Sequence, residues 1–162
     1  MAVPEYVLRL RERIGHDLLV LPGVCAVIVR DGEHEREVLL VRRSDDGQWT
    51  PVTGIADPGE DVDTAAVREA LEETGVRIEI DRVTWLETLE PQVYANGDRC
   101  QFFDTCLLAH PVGGEAHVGD EESIDVRWFP VPAMPPMRAR FRRKVAHALS
   151  GDTRVRIGAD GR

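Results

Sequence analysis

The chain has 162 residues, 43% hydrophobic and 30% charged, which suits one domain with its own core and is ordinary for a globular rather than a disordered protein. A formal net charge of −9 argues against a nucleic-acid backbone as partner, because phosphate contacts want an excess of Lys and Arg. No apolar run reaches the ~18 residues of a membrane span, and Arg9, Arg11, Glu12 and Arg13 interrupt any signal-peptide pattern near the start, so no membrane partner and a cytoplasmic location are expected.

From the start, Pro4 to His16 reads as an amphipathic helix, with Val7, Leu8, Leu10 and Ile14 at helical spacing and Pro4 suited to the first turn. The sequence leaves open whether its apolar stripe meets the domain's own sheet or a second subunit. Val24 to Arg30 and Glu37 to Val41 read as neighbouring antiparallel strands around the turn pair Asp31-Gly32. Arg42 to Gly59 is punctuated by Gly and Pro and reads as a loop with one short strand near Trp49 to Thr53.

Asp61 to Thr74 reads as a helix capped by Asp61 or Asp63 and stopped by Gly75. Val76 to Thr88, Gln101 to Ala109 and Val126 to Phe129 read as strands, with Asn96-Gly97 as a turn, and Arg138 to Leu149 as a last helix. The division expected is an N-terminal helical extension over 1–20, a domain over 21–150 and a polar tail over 151–162. Hairpin turns together with a strand-loop-helix crossover imply an α/β fold, a mixed sheet covered by helices. Cys25, Cys100 and Cys106 are an odd set without CxxC spacing, expected as buried, reduced packing residues. The five histidines show no ligand spacing and are expected at the surface.

Chemistry concentrates in the helix over 61–74. Glu69, Glu72 and Glu73 stand at i, i+3 and i+4, so their carboxylates share one edge. Like charges so crowded weaken an empty helix by ~0.2–0.5 kcal/mol per pair. Hard oxygen ligands at this spacing suit Mg2+ or Mn2+, which keep sites open for phosphate oxygens. A Glu-Glu pair on a helix is more often a solvated face, and residues outside the helix decide the matter. Gly54 is followed by five residues, then Glu60, then seven residues, then Arg68-Glu69-Ala70-Leu71-Glu72-Glu73-Thr74-Gly75-Val76.

That string resembles the Nudix box, Gx5Ex7REUxEExGU with U aliphatic, at each of its nine specified positions, Ala70 being the smallest acceptable U. The order of elements from Val24 to Val131, with Trp128-Phe129 late in it, is similar to the family's as well. The resemblance implies a Nudix-type α/β/α sandwich and Mg2+-dependent (or Mn2+-dependent) hydrolysis of a diphosphate bond in a nucleotide: a triphosphate, sugar nucleotide or dinucleotide. It implies that Glu69, Glu72 and Glu73 coordinate metal, with a backbone carbonyl near Gly54 as a further ligand. It gives Arg68 a structural role, pairing with a carboxylate such as Glu60. Many relatives are dimers, so a homodimer that exchanges the Pro4 to Ile14 helix is a further expectation.

Members often draw one more carboxylate from a loop before the last strand. Here that loop is Gly119-Asp120-Glu121-Glu122-Ser123; Glu122 is the choice for general base, with Glu121, Asp120 or Glu69 as substitutes. For the substrate itself, Arg43 with Arg42 could meet phosphate oxygens, and Trp49 and Tyr94 could stack on a base, although a loop Trp is more often buried for packing. The alternative from another class is a non-catalytic, nucleotide-sensing Nudix domain, whose usual sign, a lost ligand carboxylate, is missing. An isomerase on the same fold would want a reactive Cys that neither Cys100 nor Cys106 identifies.

Overall fold

Alternation along 24–29 places Val24, Ala26 and Ile28 on one face of a strand and Cys25, Val27 and Val29 on the other, and in the computed structural model, which describes residues 3–159, helices cover both faces. The strands are β1 (Leu19–Asp31), β2 (Arg36–Arg43), β3 (Trp49–Thr50), β4 (Val52–Ile55), β5 (Arg77–Thr88), β6 (Gln92–Val93), β7 (Arg99–Gly113), β8 (Ser123–Pro130) and β9 (Arg156–Ile157). The helices are α1 (Glu5–Ile14), α2 (Val62–Thr74) and α3 (Ala139–Leu149). The sheet runs β3-β2-β1-β7-β5-β9, with β4 also on β1, β6 on β7 and β8 on β2. β1 and β7 pair in parallel, as do β5 and β9, and the other pairs are antiparallel, so the sheet is mixed.

Ala65, Ala66 and Ala70 let α2 lie close upon Val24, Ala26, Ile28, Leu39 and Val41. On the opposite face Phe141, Val145 and Ala148 of α3 pack on Cys25, Val27, Leu40, Trp85 and Cys106. This is the α/β/α layering that the motif implied. Fully buried side chains such as Ile28, Leu39 and Leu107 each contribute ~1.5–3 kcal/mol of apolar burial, and most of them hang on β1, β2 and β7. The three cysteines are buried and free. No helix among the described residues is long and apolar enough to cross a membrane.

Several local expectations change. β1 and β7 extend well past the apolar runs that announced them, because a central strand continues as long as its neighbours supply partners. The loop over 42–59 holds two short strands, β3 and β4, where one was expected. Asp61 occupies the N-cap of α2 but makes no side-chain cap bond, and the Asp63 carboxylate accepts instead from the Thr64 N–H at 2.9 Å. The segment read as a polar tail carries β9, which pairs with Trp85 and Leu86 and is tied by the Trp85 indole N–H donating to the Gly158 carbonyl at 2.9 Å. His147, expected at the surface, is buried against the Trp85 ring, and its Nε2 lies 3.0 Å from the Arg154 carbonyl. Of the α1 stripe only Val7 is buried, in a cluster with Leu21, Ile55, Cys100 and Phe102 of the same chain, whereas Leu8 and Leu10 stay exposed.

Candidate active site

Gly75 ends α2 in the left-handed conformation, φ 70°, with its N–H on the Leu71 carbonyl. The next carbonyls of the helix are taken by the loop before β8: the His117 N–H donates to Thr74 O and the Gly119 N–H to Glu73 O, each at 3.0 Å. A side chain at Gly119 would strike the Glu72 carbonyl at 2.0 Å, so the loop can lie this close only as glycine. The acidic segment 120–122 is thereby held against the end of α2. Glu122 donates its N–H to Asp120 Oδ1 at 3.0 Å and accepts the Ser44 N–H on its own carbonyl at 2.7 Å, which ties its backbone to the residue after β2, and the residue is half-buried.

The three carboxylates of the helix are not equivalent. Glu69 and Glu73 are buried, while the Glu72 side chain is 55% exposed. Glu69 reaches over β4 at Gly54, where an added Cβ would meet its Cγ, Cδ and Oε1 at 2.2 Å. There Oε1 accepts the Ile55 N–H at 3.3 Å. Burial raises the Glu69 carboxyl, and Arg68 together with the Ile55 N–H partly offsets that. Glu73 has less relief: its Oε2 is buried without a hydrogen-bond partner, and burial, then the charges of Glu69 and Asp120, push its pKa up to about 8 against a smaller opposing pull from Arg43. An acid in that position is short of one positive charge.

Arg68 welds the loop to the helix. Its Nε and Nη2 donate to the two oxygens of Glu60 at 2.9 Å each, and Nη2 also donates to Ile55 O at 3.1 Å. Its Nη1 lies 3.1 Å from both Glu69 Oε1 and Glu72 Oε2. The fork holds the Glu60 carboxyl below its ordinary value. The pairing of Arg68 with Glu60 expected from the motif is therefore present in bidentate form.

The other candidates are less gathered. Arg43 is clamped by Asp45, Nε to Oδ1 at 2.8 Å and Nη2 to Oδ2 at 2.6 Å, and it lies within electrostatic reach of Glu73. Arg42 is exposed and donates to Gly47 O. The Trp49 ring packs edge-on against Phe129, with centroids 4.8 Å apart, in the cluster under α3. Tyr94, in the turn between β6 and β7, is 45% exposed and has Arg43 and Arg140 among its charged neighbours. The sequence reading passed over the Ile55 N–H, the closeness of Asp120 to Glu73, and a buried triad on the α3 face, where Lys144 bonds Glu87 Oε1 at 2.8 Å and Asp104 Oδ2. A Lys on an amphipathic helix carries no local sign of burial, so none was available to find it.

Among the described residues no three His, Cys, Asp or Glu side chains converge tightly enough to enclose an ion by themselves. Two features nonetheless fit a divalent cation: the unpartnered Glu73 oxygen and the Gly54 cradle, which keeps Glu69 beside it. Acidic oxygens that leave the shell incomplete suit an ion that takes its remaining ligands from water and phosphate.

Residues 20–149 match the model of the NUDIX domain. The chain is 30% identical over 134 residues to the NAD-capped RNA hydrolase NudC of Pasteurella multocida, covering 79% of this chain and 48% of that one. It is 38% identical over 107 residues to a MutT-like protein of Streptomyces ambofaciens, covering 66% of this chain and 62% of that protein. The chain thus spans about half the length of the curated relatives it matches. Among solved structures, a MutT NUDIX hydrolase from Burkholderia pseudomallei superposes with a TM-score of 0.60 at 30% identity, covering 80% of this chain and 98% of that one. A UDP-X diphosphatase shares the fold with a TM-score of 0.65 at 18% identity, covering 95% of this chain and 74% of that chain. A glycine that only a bare backbone could replace, an arginine forked onto its glutamate and two buried acids occupy the motif's own positions, and with the match over 20–149 they place this chain in the Nudix family.

Proposed function

We propose that the chain hydrolyses a diphosphate bond in a nucleotide-like substrate with Mg2+ or Mn2+, at the acids of α2. The observation that carries this reading is Glu73: a buried carboxyl with a bare oxygen, its pKa raised first by burial and then by the acids around it, on a helix whose arginine is already engaged by Glu60. Glu69, Glu72 and Glu73 would hold the cation, with the Gly54 carbonyl beside them. Bound there, divalent ions neutralise the diphosphate and lower the pKa of water.

Arg68 keeps Glu69 and Glu72 aimed while Glu60 holds Arg68. Glu122, carried on the loop that closes over α2, takes the proton from the attacking water, and the P–O bond to the bridging oxygen breaks to leave two phosphate-ended products. Arg43 meets a phosphate oxygen by exchanging Asp45 for it. The name of the P. multocida relative, a hydrolase of NAD-capped RNA, supports a nucleoside diphosphate joined to a second moiety as the substrate class. A nucleotide sensor without turnover would be favoured by a missing acid, and all three are present.

Incubation with nucleoside triphosphates, sugar nucleotides and dinucleotides in 18O-water tests the reading. The expected result is one 18O in one of the two products, dependent on Mg2+ or Mn2+; absence of cleavage in every class with either ion sinks it. Gly54→Ala supplies a separate check. Its methyl would have to displace the Glu69 carboxylate, so Mn2+ affinity is expected to fall on the order of 10–100-fold, and an unchanged Mn2+ titration would remove Glu69 from the site.

A further inference from the structure

The end of β4 and the residue after it are held from two sides. On one side lies α2: the Glu69 carboxylate accepts the Ile55 N–H at 3.3 Å, Arg68 donates to the Ile55 carbonyl at 3.1 Å, and Ala56 packs in the cluster under the helix. On the other side lies α1, which precedes the residues that match the family model. There the Tyr6 hydroxyl donates to the Ala56 carbonyl at 3.2 Å, and the Ile55 side chain is buried with Val7, Leu21, Cys100 and Phe102. The Ala56 N–H goes to the Pro22 carbonyl at 3.1 Å. Every backbone polar group of Ile55 and Ala56 thus has a partner, and those partners come from α1, β1 and the acid-bearing helix.

α1 is pinned at its other end as well. Arg11, its side chain only 10% exposed, donates to the Gly15 and Asp17 carbonyls at 3.0 and 2.7 Å and to the Arg99 carbonyl at 2.7 Å. Between these anchors the helix buries little, since Leu8 and Leu10 stay exposed. Its two inward contacts, Tyr6 and Val7, fall on consecutive residues of the segment over 54–56. Tolerance there is small: an added Cβ at Gly54 would stand 2.2 Å from the Glu69 carboxylate, so a slight shift of the strand moves that acid or its partner.

We propose that α1 is a positioning element of the metal site, with Tyr6 and Val7 holding the segment over 54–56 against α2 so that the Glu69 carboxylate and the Gly54 carbonyl meet one cation. Neither side chain touches the cation or the substrate; both act through the backbone of Ile55 and Ala56. This rests on the reading of Glu69 as a metal ligand.

Tyr6→Phe removes the hydroxyl and keeps the ring, and Val7→Ala loosens the same contact from the neighbouring residue. Mn2+ binding, followed by the relaxation of water protons, is expected to weaken about threefold to tenfold in each, less than the ~10–100-fold that follows loss of a direct outer-shell partner. A role in stability alone would lower the melting temperature and leave the Mn2+ affinity of the folded protein unchanged, and that result overturns the proposal. In metal-free Tyr6→Phe, the Ile55 amide should exchange about fivefold faster relative to that of Leu107 in the core, the scale of one lost hydrogen bond. Weakened Mn2+ binding with an unchanged exchange ratio would show that the effect does not pass through Ile55, and overturns the route. Leu8→Ser, on the exposed side of α1, should leave both readouts at the wild-type value; a loss equal to that of Tyr6→Phe would take the role away from Tyr6 and Val7. With a substrate that the wild type cleaves, the Mg2+ concentration for half-maximal rate should rise in Tyr6→Phe by the same factor as the Mn2+ affinity falls, while kcat at saturating Mg2+ stays within about twofold. A lowered kcat at an unchanged Mg2+ requirement would overturn the proposal. Wild-type protein that binds no Mn2+ removes the metal reading and this role together, whereas equal Mn2+ affinity in wild type and both variants removes this role alone.

Discussion

Glu73→Gln is expected to lower kcat on the order of 10²–10³-fold, the usual scale for losing one preorganised electrostatic contact at a reacting centre, while leaving the fold intact. The same substitution should change the pH dependence of stability in the metal-free protein. Folded Glu73 titrates near pH 8 because it is buried beside Glu69 and Asp120, whereas in the unfolded chain it titrates in the ordinary carboxylate range. Between those values the folded state holds a proton that the unfolded state has released. The stabilisation is therefore complete below the ordinary carboxylate value and is lost as pH rises to about 8. Glu73→Gln removes that part of the slope, so wild type and variant should diverge as pH rises, with the variant the more stable. Saturating Mg2+ should stabilise the wild type more at high pH than at low, since the cation binds the ionised form. Urea unfolding from pH 5 to 8 with and without Mg2+ checks the two stability expectations, and steady-state kinetics the first. An unchanged kcat would remove Glu73 from the site, and parallel pH profiles would show that its carboxyl is not buried uncompensated.

Lys144→Met is expected to cost about 3–5 kcal/mol of folding stability, the range found when one partner is removed from a buried ion pair. Burial disfavours the Lys144 ammonium, and the Asp104 carboxylate paired with it more than outweighs that, so its pKa stands above the ordinary lysine value. Glu87 on β5 and Asp104 on β7 pair across those strands, and Lys144 joins both to α3. Methionine keeps the packing of the stem but leaves two buried carboxylates facing each other without a cation. For a domain of this size the loss corresponds to a fall in melting temperature on the order of 10 °C. A fall of only a degree or two in calorimetry would mean that solvent reaches the triad and screens it. Kinetics provide the contrast with Glu73→Gln: at temperatures where the Lys144→Met protein remains folded, kcat should be close to that of wild type.

The difference between these two residues is also a difference in legibility. Glu73 belongs to a pattern in which chain spacing is itself the geometry: on a helix, i, i+3 and i+4 share an edge wherever the helix is packed. Gly54, Glu60 and Arg68 could be read with it because their spacing to the helix is part of the same motif. Lys144 could not, since lysine on an amphipathic helix looks alike whether its ammonium points to water or reaches two acids forty and fifty-seven residues away in the chain. Trp49 could be read either way, and its edge-on contact with Phe129 came from the pairing of β2 with both β3 and β8.

What the sequence determined by itself was the existence of the acid-bearing helix, its stop at Gly75, the close approach at Gly54, the fork of Arg68 on Glu60, and the mixed sheet between helices. The helix, its stop and the sheet depend on local periodicity or on a turn residue's backbone freedom, which operate within a few residues of chain, whereas the Gly54 approach and the pairing of Arg68 with Glu60 were implied by the resemblance to the Nudix box. The tertiary structure alone decided which of the three acids are buried, that Asp120 lies beside Glu73, that β9 joins the sheet, and that Lys144 is buried between Glu87 and Asp104. Those outcomes depend on desolvation and on contacts between segments far apart in the chain, and both exist only once the sheet has assembled and excluded water.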